Sequence, residues 1–147
     1  YLGYRATIGY KVKHDKSSFV TFIVQYQHGS GGGATPGGAI NAVEKGSKVC
    51  INADMYVEGH RGKSLIYPST GLHFTYDKHS NKPILIPRKR IYIQLPGFHK
   101  TKDTYAEWKN YPPSDHTHYI FTLKAERRGG RDTRQHKKVI TWESIDL

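Results

Sequence analysis

The sequence has little sulfur, since its 147 residues include one cysteine and one methionine. The single thiol, Cys50, excludes an internal disulfide and a thiolate zinc finger. Its apolar neighbours Val49 and Ile51 favour a buried structural thiol over a nucleophile. No apolar run approaches the roughly 18 to 20 residues of a membrane-spanning helix, and no charged-then-apolar leader opens the chain. We therefore expect a cytoplasmic protein with no membrane partner.

Acidic residues are also scarce, since 12 Asp and Glu stand against 23 Lys and Arg and the net charge is +11. Such an excess indicates a polyanionic partner, whether nucleic acid, a phosphorylated ligand or an anionic surface. The apolar residues, 36% of the chain, occur in blocks, and a chain of this length can bury one modest core. We expect a single domain over residues 1–147.

The first half of the sequence predicts a β-α-β unit. Residues 1–12 alternate apolar and polar side chains, as a half-buried strand does. The nearly continuous apolar run 19–27 predicts a strand buried on both faces and paired with the first as a hairpin. A glycine-rich stretch, 28–38, leads to a helix over 39–50 and a short strand over 55–60. That order favours parallel pairing of the second and third strands.

The second half predicts a series of short strands separated by Ser, Gly, Asn and Pro. We expect a turn at 79–83, a helical turn at 105–108 and a basic loop at 127–138. The predicted strands cover residues 63–69, 72–77, 84–90, 91–97, 118–127 and 139–147. The chain is therefore expected to contain more strand than helix.

Two histidines follow predicted apolar strands. His28 comes directly after the strand at 19–27 and precedes the glycines, while His60 ends the strand at 55–60. Because the carboxyl ends of parallel strands meet at one edge of a sheet, the two imidazoles are expected to converge, where they suit manganese, zinc or iron. The glycine N–H groups can cradle an oxyanion, although no Walker pattern is present. A flexible loop with structural or surface histidines is the alternative.

A third group of polar residues, 115–118, has the sequence Asp-His-Thr-His. On an extended strand, His116 and His118 lie on one side, which would suit a metal ion. No further carboxylate or histidine lies in obvious register with them. The alternative is that these are polar residues at the start of a strand, with no metal.

The basic residues form two clusters that fit contacts with a phosphate backbone, and solvated loops are the alternative. Helix-turn-helix, zinc-finger and RNP signatures are all missing from the sequence, so sequence-specific readout has no support. The residues predicted to bind polyanions are Arg88, Lys89, Arg90, Arg127, Arg128, Arg131 and Arg134, with Lys137 and Lys138 beside the second cluster.

Several segments occur in an order that resembles the C-terminal half of calcineurin-like metallophosphoesterases, especially the phage and bacterial members. They are YLGY at 1–4, QYQHGSGGG at 25–33, ADMYVEGHRGK at 53–63 and GFHKTKDTYAEWKNYPP at 97–113. The resemblance covers roughly residues 1–123, and the basic loop and terminal strand at 124–147 lie outside it.

The resemblance implies half of a four-layer α/β/β/α sandwich, with one mixed sheet and a covering helix. It implies that His28 and His60 ligate one metal of a two-metal site. The family's second histidine of Gly-His-x-His falls at Gly62. Gly29, at the start of the glycine-rich loop, would bind phosphate. Arg61 and Lys63, which flank Gly62, could contact substrate phosphate because of their charge and location.

The family's Asp-x-His, Gly-Asp-x-x-Asp and Gly-Asn-His motifs are missing from this sequence. The resemblance therefore implies the C-terminal portion of an enzyme that hydrolyses phosphoesters of nucleic acid or nucleotides, inactive by itself. Its exposed apolar face predicts self-association or a missing N-terminal half. Two alternatives remain, a non-enzymatic nucleic-acid-binding module and a structural or assembly protein such as a virus contains.

Overall fold

The computed structural model describes residues 4–14, 18–29, 36–61, 64–77, 80–96, 117–127 and 136–145. These ranges contain seven strands and one helix, so this part of the chain is β-rich, as predicted. In chain order the elements are β1 Arg5–Lys13, β2 Phe19–His28, α1 Pro36–Ser47, β3 Met55–Arg61, β4 Leu65–Tyr76, β5 Pro83–Pro96, β6 His118–Arg127 and β7 His136–Ile145. Within the same ranges, no helix has the length and apolar character needed to cross a membrane.

Five strands form a mixed sheet in the order β1-β2-β3-β5-β4. β1 pairs antiparallel with β2, which confirms the predicted hairpin. β2 pairs parallel with β3 through α1, which confirms the predicted β-α-β unit. β5 adds a third parallel strand beside β3, and β4 closes the sheet as an antiparallel edge. The carboxyl ends of three parallel strands therefore meet at one edge of the sheet.

The helix covers one face of this sheet. Val43 of α1 packs with Ala53, Tyr56 and Tyr92, and half-buried Cys50 borders the cluster. The predicted helix at 39–50 is displaced by three residues. It begins earlier because a proline is favoured at the first helical position, and it ends earlier because the Lys48 and Val49 amides donate to carbonyls three residues back instead of four.

A separate two-stranded sheet of β6 and β7 covers the other face. Its side chains Phe121, Leu123 and Ile140 pack against a buried cluster. That cluster consists of Val24, Met55, Ile91 and Ile93. The central sheet is thus buried on both sides, which explains the continuous apolar run that predicted β2. The face expected to be exposed is covered in part by this hairpin.

The region from β4 to β5 corrects the predicted series of four short strands. The structure has two long strands, and Pro68 and Pro87 lie inside them rather than ending them. Pro68 is tolerated because β4 is an edge strand. Pro87 is tolerated because β3 first pairs with β5 at Ile91, so this part of β5 has β4 as its neighbour on one side only. Residues 69–76 and 83–90 therefore extend beyond the β3–β5 pairing as a two-stranded ribbon, called here the β4–β5 arm.

The described residues 80–82, within the turn predicted at 79–83, lie at the tip of the β4–β5 arm. The Asp77 carboxylate accepts hydrogen bonds from the Ser80 amide at 2.7 Å and from the Ser80 hydroxyl at 2.9 Å. Asn81 adopts a left-handed backbone with φ of 53°, a conformation that asparagine tolerates better than most residues. The predicted helical turn at 105–108 and most of the basic loop at 127–138 lie outside the described residues.

A buried carboxylate ties the hairpin of β6 and β7 to the amino ends of the parallel strands. Asp54, with its side chain 5% exposed, accepts a hydrogen bond from the Ile23 amide at 2.8 Å. The Lys138 ammonium of β7 lies 2.6 Å from the same carboxylate oxygen, and the Arg88 guanidinium lies 3.3 Å from the other. Three strands and the hairpin thus share one anionic anchor.

Candidate functional site

The carboxyl ends of β2 and β3 bring together the two backbone positions predicted to bind metal. His28 is the register partner of Gly59, and His60 is the next residue along β3. Neighbouring strands are separated by about 4.8 Å, so the two histidine positions lie side by side at one edge of the sheet. The convergence of the two imidazoles stays a prediction, because the register pairs His28 with Gly59 and the His60 side chain lies outside the described part of the chain.

The His28 imidazole is exposed at this edge. Its ring meets the edge of the Tyr4 ring, with centroids 5.8 Å apart and planes at 86°. The His28 amide donates a hydrogen bond to the Tyr4 carbonyl at 2.8 Å. The chain before β1 therefore positions His28 from one side of the exposed sheet edge.

Gly29 holds the same edge together. Its amide donates a hydrogen bond to the Gly59 carbonyl at 2.9 Å, which extends the β2–β3 pairing by one residue. A Cβ at position 29 would collide with that carbonyl and would lie 2.8 Å from Oε1 of Glu58. The glycine predicted to bind phosphate is buried, and its described contacts are with β3. A close approach of two strands explains why glycine occupies this position.

A row of buried polar side chains, which the sequence patterns did not single out, crosses the three parallel strands just below the edge. Gln27, Glu58 and Gln94 are register neighbours on β2, β3 and β5. Glu58 and Gln94 are each 2% exposed. The amide oxygens of Gln27 and Gln94 are buried and have no hydrogen-bond partner among the described residues. The sign of this row that the sequence did offer was Gln27, a polar residue inside the strand at 19–27 that was predicted to be buried on both faces.

Other predicted phosphate contacts lie at the end of β3. Arg61 is the last residue of that strand, but its side chain is outside the described residues, as are Gly62 and Lys63. A Cβ added at Gly59 would meet no atom of the described chain within 4 Å. Among the described residues, there is therefore room for a side chain at Gly59.

The first predicted basic cluster does not form a single surface. Arg88 and Arg90 alternate with Lys89 along β5, so the arginines lie on the face opposite to the lysine. Arg88 is engaged by Asp54 and by the carbonyl and side-chain oxygens of Asn52. Its charge is used to hold strands together, which weakens the case for this cluster as a polyanion site.

The second basic cluster is only partly described. Arg127 ends β6, with its side chain outside the described residues, and Arg128, Arg131 and Arg134 also lie outside them. Lys138 binds Asp54 and lies 5.4 Å from the centre of the Phe22 ring. Lys137 is exposed and lies opposite Glu126 across the β6–β7 pair. Within the described residues, an acidic side chain, Glu126, therefore lies beside the lysines of this cluster.

The space between the central sheet and the hairpin contains a cavity of about 490 Å³. His118, from the predicted His-x-His pair, lines it, while Asp115 and His116 lie outside the described residues. The hydroxyls of Tyr10 and Tyr26 are 2.9 Å apart on the cavity wall. Burial, together with this hydrogen bond, raises the pKa of Tyr26 to about 12. Across the described ranges, no three His, Cys, Asp or Glu side chains are grouped as metal ligands.

Comparison with known proteins gives no match to this chain among family models, curated proteins or solved structures. The resemblance to calcineurin-like metallophosphoesterases therefore depends on the motifs in the sequence. The class that the fold itself defines is a β-rich α/β protein. Its mixed five-stranded sheet carries a helix on one face and a β-hairpin on the other.

Proposed function

We propose that this chain is the C-terminal portion of a metal-dependent phosphoester hydrolase, in which His28 and His60 hold one divalent ion. The observation that carries the proposal is the parallel register of β2 and β3, which sets His28 opposite Gly59 and beside His60. On this proposal the sheet and its helix form half of an α/β/β/α sandwich. The remaining ligands and the catalytic histidine belong to the other half.

The donor set suits the ion. Two imidazoles favour borderline divalent metals, so manganese, zinc and iron are the candidates. The His28 side chain is exposed at the edge of the sheet, and a Cβ at Gly59 would meet no described atom within 4 Å. Gly62 follows His60 at a position where the resembled family has a second metal ligand, and glycine offers no side chain. This chain therefore supplies half of a site, and we expect it to bind an ion with little turnover.

A bound divalent ion would polarise a phosphoryl oxygen and lower the pKa of a bound water. The chain's own residues would do the rest of the work at this edge. Gly29 fixes the spacing of β2 and β3 by its hydrogen bond to the Gly59 carbonyl. Arg61 and Lys63 would attract and orient an anionic phosphoester. The net charge of +11 would raise the local concentration of a nucleotide or nucleic-acid substrate.

Titration calorimetry with manganese and with zinc tests the proposal. We expect saturable binding to the wild-type chain and at least a tenfold loss of affinity in His28→Ala and in His60→Ala. His73→Ala is the matched control, because His73 lies on β4 in the arm, away from this edge, and it should bind as the wild type does. Absence of binding in the wild type, or equal binding in all three variants, would contradict the proposal.

A polyanion-binding module without metal chemistry would give a different result. It would bind a single-stranded or double-stranded oligonucleotide with affinity that falls steeply as salt rises, and it would bind no divalent ion at His28. The engagement of Arg88 and Lys138 by Asp54 argues against a continuous basic surface in the described residues. A structural protein would bind neither ion nor oligonucleotide.

A further inference from the structure

The hairpin of β6 and β7 is tied to the central sheet near one of its ends. Lys138, which lies opposite Ala125 in the hairpin, reaches the buried carboxylate of Asp54. The cavity of about 490 Å³ lies along the other half of β6, because the described hairpin residues that line it fall within 117–123. The fold therefore leaves a space between the hairpin and the sheet, away from the ion pair that joins them.

The inner wall of this cavity is apolar. Val24, Met55 and Ile93 line it, and all three belong to the buried cluster of the sheet. Among the described residues around the cavity, none is Asp, Glu, Lys or Arg. A buried water needs about two to four polar partners, which these three side chains do not offer, and an ion without a counter-charge would be costly here. The interior therefore suits the apolar part of an uncharged molecule.

Two phenol hydroxyls place a polar group at the mouth of the cavity. Tyr10 is 40% exposed and Tyr26 is half-buried, so the pair lies where the cavity meets solvent. Their hydroxyl oxygens are 2.9 Å apart, and one hydroxyl donates to the other. Two phenols carry two hydroxyl hydrogens, so one hydrogen remains for a group outside the pair. Burial raises the pKa of Tyr26 to about 12, which keeps its proton in place at neutral pH.

The volume sets the size of the molecule that fits. An apolar cavity of about 150 Å³ binds benzene, so a cavity of about 490 Å³ has room for roughly 15 to 20 non-hydrogen atoms. Small-molecule sites typically have volumes of about 300 to 1,000 Å³, with apolar walls and few polar groups. We propose that this cavity binds an uncharged, mainly apolar molecule of that size, whose carbonyl oxygen accepts a hydrogen bond from the Tyr10–Tyr26 pair.

Fluorescence titration with prodan tests the site, because prodan is an uncharged naphthalene of matching size with one ketone. We expect saturable one-to-one binding with a blue shift of its emission. Tyr10→Phe combined with Tyr26→Phe should lower the affinity roughly three- to tenfold, as expected for one lost hydrogen bond. Tyr67→Phe combined with Tyr76→Phe is the matched control, since these tyrosines do not line the cavity. Equal affinity in the two double variants would contradict the role of the hydroxyl pair.

A variant that fills the cavity tests its location. Leu95 is half-buried and lines the cavity, so Leu95→Trp should abolish saturable binding. Phe74→Lys is the control for adsorption to exposed apolar side chains, because Phe74 is 54% exposed on the β4–β5 arm, and it should bind as the wild type does. Circular dichroism establishes that each variant is folded. A wild type without saturable binding, a folded Leu95→Trp that still binds, or loss of binding in Phe74→Lys would overturn the proposal.

A matched pair of competitors tests the absence of charge. A medium-chain methyl ketone should displace prodan at least tenfold better than the carboxylate of the same chain length, because the described lining offers the carboxylate no Lys or Arg. Equal or better displacement by the carboxylate would overturn the assignment of an uncharged ligand. No metal ion takes part in these measurements, so the cavity and the proposed function are tested separately.

Discussion

At the scale of single residues, two glycines at the same edge of the sheet have opposite environments. Gly29 lies where a Cβ would collide with the Gly59 carbonyl and crowd Glu58. Gly59 lies where a Cβ would meet no described atom within 4 Å. The close approach of β2 to β3, and not a general need for flexibility, therefore accounts for Gly29.

Gly29→Ala should lower the free energy of unfolding by about 2 kcal/mol, because backbone rather than a flexible side chain must move to make room. Gly59→Ala should change it by no more than about 0.5 kcal/mol. Urea denaturation of both variants measures the difference. Equal stability of the two variants would show that the strand ends are not packed as described.

The tyrosine pair on the cavity wall gives a dependence on pH. Burial, together with the hydrogen bond between the Tyr26 and Tyr10 hydroxyls, raises the pKa of Tyr26 from 10.0 to about 12 in the folded chain. The folded state therefore holds this proton more tightly than the unfolded state does. The resulting stabilisation is present below a pH of about 10 and is lost as pH rises through about 12.

Ultraviolet titration of tyrosinate should show a late transition that decreases in Tyr26→Phe. Burial also raises the pKa of Tyr56, so part of the late signal should remain. Tyr10→Phe should move the Tyr26 transition to lower pH, whereas Tyr76→Phe, at an exposed position, should leave it unchanged. A titration of Tyr26→Phe identical to that of the wild type would contradict the assignment.

The candidate site was only partly predictable at this scale. The ends of apolar strands marked His28 and His60, because strand order alone places such ends at one edge. Glu58 and Gln94 went unrecognised, since polar residues inside apolar strands carry no local signal for the row that register creates. The row cannot be seen in the sequence, because Gln27, Glu58 and Gln94 are far apart along the chain. They become neighbours only when β2, β3 and β5 pair.

At the scale of elements, the sequence located the strands better than their ends. The hairpin of β1 and β2 and the helix crossover to β3 follow from local periodicity, and both are confirmed. The length of β4 and β5 does not follow from it, because a proline ends a strand only where its missing N–H would face a neighbour. Which strand has a neighbour on each side is a property of the whole sheet.

Asp54 illustrates how one side chain joins several elements. It binds the Ile23 amide, the Lys138 ammonium and the Arg88 guanidinium, and its own side chain is buried. Nothing local in the sequence distinguishes it from a turn residue. The position acquires its role when the hairpin of β6 and β7 docks on the sheet.

Asp54→Asn should lower the free energy of unfolding by about 2 to 3 kcal/mol. This loss of stability is smaller than is usual when a buried ion pair is broken, because the side chains of Arg88 and Lys138 are partly exposed. Amide hydrogen exchange should accelerate in β6 and β7 more than in β2 and β3. Glu126→Gln, on the exposed side of β6, is the control and should change stability by less than about 0.5 kcal/mol. Uniform acceleration across the sheet would contradict an anchoring role.

At the scale of the whole molecule, the central sheet lies between a helix and a hairpin, and its edges and ends have different roles. The carboxyl ends of the parallel strands carry the histidine positions, the amino ends carry the Asp54 anchor, and the β4 edge carries exposed apolar side chains. The series of short apolar segments predicted the excess of strand, and the composition gives the strong positive charge. It did not predict that Arg88 would serve structure, since only the fold shows that Asp54 is its partner.

The most direct test of the central claim, that His28 and His60 share one divalent ion, is histidine ring NMR during titration with manganese. The chain has nine histidines, and single His→Gln variants assign their signals. We predict that substoichiometric manganese broadens the His28 and His60 signals together and leaves His73 sharp. Broadening of all nine signals in parallel, or of neither His28 nor His60, would contradict a shared metal site.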